Sequence, residues 1–159
     1  MKKVLVLALA VMALTVMTCV AFAGPYDKLA PITLRLANSS PAGTANDMWD
    51  NAFLKHIKEI TGDKIKVDFF GNSQLGVDSE LQTQMLAGDI DMVSLQPGQT
   101  TTFVPAVAIY DLPLVFAKYN AKQIDKALNQ SNFTKIMDKK YADSKIVCLG
   151  LLQGATYRV

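Results

Sequence analysis

The chain has 159 residues, 50% of them hydrophobic and 19% charged, with 16 Lys and Arg against 14 Asp and Glu. That balance offers no basic face for nucleic acid. With one His and two Cys, no metal-ligand spacing is available.

Residues 1–23 read as an export signal. Lys2 and Lys3 form a basic start, Val4 to Val20 is apolar apart from two Thr and a Cys, and Ala21-Phe22-Ala23 is a small-x-small cleavage site. The apolar run is short for a membrane anchor, and no basic stop-transfer cluster follows it. Thr18 before Cys19 argues against a lipid-anchored variant. Cleavage after Ala23 removes two of the 16 basic residues, so 14 face 14 acidic ones and the mature chain from Gly24 is formally neutral. Cys19 leaves with the signal, so Cys148 has no intramolecular disulfide partner.

Beyond a short leader, Ile32 to Ala37 alternates apolar and polar residues and predicts a strand. Asn38 to Gly43 is a loop by composition. Thr44 and Asp47 form a capping-box-like start for a helix carrying Met48, Trp49, Ala52, Phe53, Ile57 and Ile60 and stopped by Gly62. Trp49 on that stripe is expected to be buried. Ile65, Val67 and Phe69 alternate with Lys64, Lys66 and Asp68 in a second strand. Asp78 is placed to cap a second helix, which turns Leu81, Met85 and Leu86 inward and ends at Gly88.

Asp91 to Leu95 predicts a third strand, and Pro97 to Thr102 a polar loop. Val104 to Phe116 is apolar and broken by Pro105 and Pro113. Ala121 to Leu128 and Asn132 to Ala142 predict helices, and Lys145 to Leu152 a final buried strand. Strands alternating with helices predict an α/β fold with a largely parallel sheet. Ligands of such sheets bind beyond the carboxyl ends of the strands. The candidate rim is therefore Asn38 to Gly43, Gly71 to Asp78, Gln96 to Thr100 and Gln153 to Arg158.

No catalytic set emerges. His56 sits in mid-helix as a surface or boundary residue, and Cys148 lies in an apolar run with no base nearby. Gly71 to Gly76 has the outline of a phosphate loop but lacks the Lys-Ser/Thr that follows one. Asp89 and Asp91 read as turn and strand-start residues rather than an acid–base pair. The rim offers Asn38, Asp78, Gln96 and Tyr157 beside apolar Phe103, Leu112, Pro113 and Phe116, which suits a binder of small solutes.

Gly71 to Leu95, GNSQLGVDSELQTQMLAGDIDMVSL, resembles the core signature of the solute-binding proteins of TRAP transporters, the family that includes the C4-dicarboxylate-binding proteins. Gln74, Leu75, Gly76, Asp78, Gly88, Asp91 and Met92 follow that pattern in order. Thr33 to Asn38, Phe103-Val104-Pro105, Tyr110 to Phe116 and Val147 to Gly154 extend the resemblance over nearly the whole mature chain. It implies a periplasmic binding protein fold of type II. The division it implies is a signal at 1–23, an N-terminal α/β lobe at 24–152, and the start of a crossover to a second lobe at 153–159. Family members are longer, so the chain reads as a partial product whose own affinity for a carboxylate is weak.

The resemblance also implies a non-enzymatic periplasmic protein without cofactor or metal. Such a protein captures a small organic acid and delivers it to membrane permease subunits. Its ligand-binding positions fall at Asn38, Asp78 and Gln96, with Thr156 standing where the family usually has Arg and Arg158 displaced by two. Competing readings are a type II binding protein of an ATP-driven importer, an extracellular sensor domain, and an exported α/β hydrolase. The Gln-Leu-Gly and Leu-Pro-Leu-Val-Phe segments argue against the importer, and the poor base against the hydrolase.

Overall fold

The computed structural model describes Tyr26, residues 28–113 and residues 115–151. The chain divides into the units Met1–Ala30 and Pro31–Val159. In the first, Leu29 N–H donates to Tyr26 O at 2.9 Å in a turn. All that follows concerns the second.

Its elements are β1 (Ile32–Asn38), α1 (Ala45–Thr61), β2 (Ile65–Phe70), α2 (Asp78–Ala87), β3 (Met92–Ser94), α3 (Pro97–Thr100), a 3₁₀ helix (Pro105–Asp111), α4 (Ala121–Asn129) and α5 (Asn132–Asp143). The sheet is parallel in the order β2-β1-β3. Ile32 pairs with Ile65, and Leu36 and Asn38 pair with Met92 and Ser94. The central strand is exposed at its start and buried from Leu36 to Asn38, where both neighbours flank it. The α/β class with a parallel sheet is thus as the alternation predicts.

Two apolar clusters hold the unit. Ala37, Leu81 and Ile90 pack with Phe70, Leu75, Val93 and Leu95 between sheet and α2. Val104, Val107, Met137, Tyr141 and Ile146 tie the 3₁₀ helix to α5, and Tyr110 meets Phe133 edge-to-face at 5.9 Å. Gly88 closes α2 with φ 86°. Its N–H donates to Met85 O at 3.1 Å while Asp89 N–H donates to Gln84 O at 2.9 Å, the paired bonds of a glycine-terminated helix.

Several expectations are corrected. Trp49 is 44% exposed, as are much of Met48, Phe53 and Ile60. Helix α1 instead turns Asp50, Leu54, Ile57 and Thr61 inward. The inward polar pair is satisfied, Asp50 by Asn38 and Thr61 by Ile57 O at 2.7 Å, so burial carries no orphaned group. Thr44 stands at the N-cap of α1, but its hydroxyl donates to Pro41 O, and Asp47 accepts the Gly43 N–H at 2.9 Å.

Asp78 does not cap α2. Val77 occupies the cap, and Glu80 accepts its N–H at 3.1 Å. On α2, Leu86 is exposed and Gln82 is buried in its place. Pro97 to Thr100 is a short helix rather than loop, with Pro97 in the first turn where its missing N–H costs nothing. Residues 145–151 form no strand. Val147 and Leu149 are exposed, and the Asn129 side chain bonds both Leu151 O (2.8 Å) and Leu151 N–H (2.9 Å) where a neighbouring strand would.

Among the described residues no helix is long and apolar enough to cross a membrane, and no group of His, Cys, Asp and Glu is placed to hold a metal ion.

Candidate functional site

The carboxyl ends of β1 and β2 bring two loops together. Asn38 is fully buried between them. Its Oδ1 accepts the N–H groups of Ser40 (3.1 Å) and Asn72 (3.2 Å), and its main-chain oxygen accepts Ser73 N–H at 3.1 Å. Asn72 and Ser73 are both left-handed, at φ 55° and 59°. That conformation costs a residue with a side chain about 1–2 kcal/mol. The Asn38 bonds offset the cost, together with Ser73 Oγ donating to Ser39 O at 3.0 Å. Gly76 completes the turn at φ 127°, where a Cβ would strike the Glu80 carboxylate.

This turn delivers Asp78 to the first position of α2, half-buried, where its Oδ1 accepts the Ser39 hydroxyl. Ser39, Ser73, Val77, Asp78, Ser79 and Gln99 then line an open concavity of about 370 Å³. Gln82, 1% exposed, fixes the far wall by donating from Nε2 to Gln99 O at 2.9 Å. Its Oε1 is buried without a hydrogen-bond partner among the described residues. The lining offers one acceptor-only carboxylate, three hydroxyls and an amide, a set that meets ligand hydroxyls from several directions.

Beneath the rim, Asn38 Nδ2 donates to the Asp50 carboxylate, and the Ser94 side chain also favours its charged form. Burial pushes the Asp50 carboxyl above the usual carboxylate range. The two side chains oppose the rise and nearby Asp47 adds to it.

Of the residues singled out from the sequence, Asp78 lies in the concavity and Asn38 directly below it. Gln96 is exposed at the start of α3 and is not among the lining residues. Thr156, Tyr157 and Arg158 lie outside the described residues. Phe103 packs into the α5 cluster, whereas Leu112 is exposed. Ser39, Ser73 and Gln99 were not singled out. Each lies inside a predicted rim segment, but serine and glutamine carry no pattern that separates a lining position from a loop position.

Residues 36–159 match bacterial extracellular solute-binding protein family 7, DctP. The C4-dicarboxylate-binding protein DctB of Bacillus subtilis is 31% identical over 103 residues, which is 65% of this chain and 28% of DctB. A TRAP periplasmic solute binding protein from Ochrobactrum anthropi superposes with TM-score 0.67 at 23% identity, over 76% of this chain and 37% of that one. The galactonate complex of the sugar acid binding protein DctPAm from Advenella mimigardefordensis gives 0.66 at 21%, over 77% and 38%. A succinate-bound TRAP protein from Sulfurospirillum deleyianum gives 0.59 at 24%, over 72% and 36%. The chain therefore spans between 28% and 38% of the length of these relatives. With most of its length matched and the fold shared, the chain belongs to bacterial extracellular solute-binding protein family 7.

Proposed function

We propose that this protein is the exported solute-binding component of a TRAP-type transporter, that its ligand is a small organic acid bearing hydroxyl groups, and that it hands the ligand to membrane permease subunits. The observation that carries the reading is the concavity where Ser39, Ser73, Asp78 and Gln99 converge at the carboxyl ends of the strands. Its position is the ligand position expected of such sheets. Its chemistry favours hydroxyls, because Asp78 accepts bonds from a ligand hydroxyl and repels a ligand carboxylate. The acid group then faces away from Asp78, and Arg158 and Thr156 are its proposed partners.

In this reading Asp78 contacts ligand, Gln96 stands at the rim outside the concavity, Asn38 supports the site from below, residues 1–23 are removed on export, and 24–152 form one lobe with 153–159 leading toward a second. Lobe closure on the ligand is the transport-competent step. The galactonate- and succinate-bound relatives support an acid as ligand, and no catalytic step is assigned to any residue.

Thermal unfolding with galactonate, glucuronate, succinate and neutral galactose tests the proposal. A ligand at ten times its Kd adds about 1.4 kcal/mol of stability, so each acid is raised until such a shift occurs. Stabilisation by the hydroxylated acids at lower concentration than by succinate, with none from galactose, is expected. No stabilisation by any acid at concentrations up to tens of millimolar, or equal stabilisation by galactose, overturns it.

A further inference from the structure

We propose that Asp50 is a positioning residue for the concavity. Its buried carboxylate, acting through Asn38, locks the β1–α1 and β2–α2 loops into one rigid rim. The role lies outside the ligand contacts, since Asp50 does not line the concavity.

The argument starts from a polar side chain where hydropathy wants an apolar one. Asp50 is on the sheet-facing side of α1, 6% exposed. A buried carboxylate is costly unless donors surround it. Its donor is Asn38 at the carboxyl end of β1, and Ser94, paired with Asn38 across the ladder at the end of β3, favours the charged form of the carboxylate. One helix side chain thus meets the strand end from which the β1–α1 loop leaves.

The carboxylate also fixes a choice that Asn38 alone leaves open. An amide has two faces, one of donors and one of acceptor. Asp50 accepts only, so it holds Nδ2 toward α1 and Oδ1 toward the loops. Oδ1 then bonds Ser40 N–H on one loop and Asn72 N–H on the other. Reversal of the amide would set Nδ2 against two N–H donors and Oδ1 against a carboxylate. Asn72 and Ser73 hold left-handed conformations with that bond in place, and Ser73 lines the concavity. Backbone strain persists where the surroundings over-determine it, and here the determinant runs back through Asn38 to Asp50.

The test is amide hydrogen exchange in the full chain, with affinity for galactonate measured alongside; only the affinity arm rests on the function proposed above. Three variants are compared: Asp50→Leu, which removes the acceptor; Asp50→Asn, which keeps an oxygen facing Asn38; and Thr61→Val, which removes a buried hydroxyl at the other end of α1. Asp50→Leu is expected to speed exchange at Ser40 and Asn72 by about tenfold or more beyond any change at Leu81, as loss of a buried anchor implies. Asp50→Asn restores slow exchange, and Thr61→Val leaves the two amides in step with the rest.

Exchange at Ser40 and Asn72 that rises only in step with Leu81 overturns the proposal, as does Asp50→Asn behaving like Asp50→Leu. If Asp50→Leu does not fold, the side-chain amide of Asn38 in the unsubstituted chain decides. Protection of its Nδ2 protons that is lost in Asp50→Ala supports the proposal, and exchange at the rate of a free amide overturns it. Slowed exchange restored in Asp50→Asn without galactonate binding by any form leaves Asp50 as the rim's anchor and removes galactonate as the ligand.

Discussion

Replacing Asn38 by Ala deletes a side chain that bonds both rim loops and α1 at once. Three partners are affected. The Asp50 carboxylate loses the Asn38 donor, and Ser40 N–H loses its acceptor. Asn72 N–H keeps a second partner in Ser40 O at 3.2 Å, so it is not orphaned. Two groups, one buried and one half-buried, are therefore left short, at about 1–3 kcal/mol each, for a total of about 2–6 kcal/mol. Domains of this size are stable by about 5–15 kcal/mol, so the variant loses a large fraction and still folds. Urea unfolding followed by far-ultraviolet circular dichroism reads the loss. With a slope of about 2 kcal/mol per molar, the midpoint falls by about 1–3 M. Ser39→Ala serves as comparator, because it removes one half-buried bond to Asp78 and costs about 0.5–1.5 kcal/mol. A loss in Asn38→Ala below about 1 kcal/mol, or no greater than that of Ser39→Ala, refutes the reasoning that Asn38 acts by satisfying buried groups.

Because burial raises the Asp50 carboxyl above its value in the unfolded chain, the folded state holds its proton more tightly. Stability from this group is therefore fully present below the unfolded value near 3.8 and is lost as pH rises through the folded value. Asp50→Asn removes that decline, so the difference in unfolding free energy between variant and parent grows with pH across that window and is flat above it; a difference independent of pH contradicts the burial. Tyr110 holds its hydroxyl buried without a hydrogen-bond partner among the described residues, and burial pushes its pKa up to about 12. Tyr110→Phe is expected to leave the unfolding midpoint unchanged or raise it, since it deletes an unpaired group; a clear destabilisation would reveal a bond to that hydroxyl. Gly88→Ala at φ 86° is expected to cost about 1 kcal/mol by thermal unfolding, whereas Gly150, with a φ outside the left-handed region, tolerates Ala at no measurable cost.

Periodicity located β1, β2, α2, α4 and α5 because each carries its own repeat and its own stop, such as Gly88 after Ala87. It misplaced the face of α1. A stripe of Trp49, Phe53 and Ile60 is the strongest hydrophobic signal on that helix, yet the sheet receives Asp50 and Thr61. Their burial depends on Asn38, Ser94 and Ile57 O, partners a hydropathy pattern does not encode. The segment Lys145 to Leu152 failed for the converse reason. Its apolar run satisfies the local pattern of a strand, but a strand also needs an edge to pair with, and Asn129 holds Leu151 instead. At the site, the rule about strand ends points to the loops that line the concavity. A carboxylate at a helix start is legible in sequence as a cap, and the ligand role of Asp78 comes from the family resemblance. Ser39, Ser73 and Gln99 became visible only through the left-handed turn and the Gln82 bond that aim them.

The account's central claim is that the concavity of Ser39, Ser73, Asp78 and Gln99 receives a hydroxylated organic acid. Backbone amide shifts of the isotopically labelled chain, followed as galactonate is added to millimolar concentration, test it most directly, because shifts report weak binding residue by residue. The account predicts saturable shifts concentrated at Ser39, Ser73, Ser79 and Gln99, reduced in Asp78→Ala and absent with galactose. Saturable shifts centred elsewhere, or shifts at these residues that galactose reproduces, would contradict it.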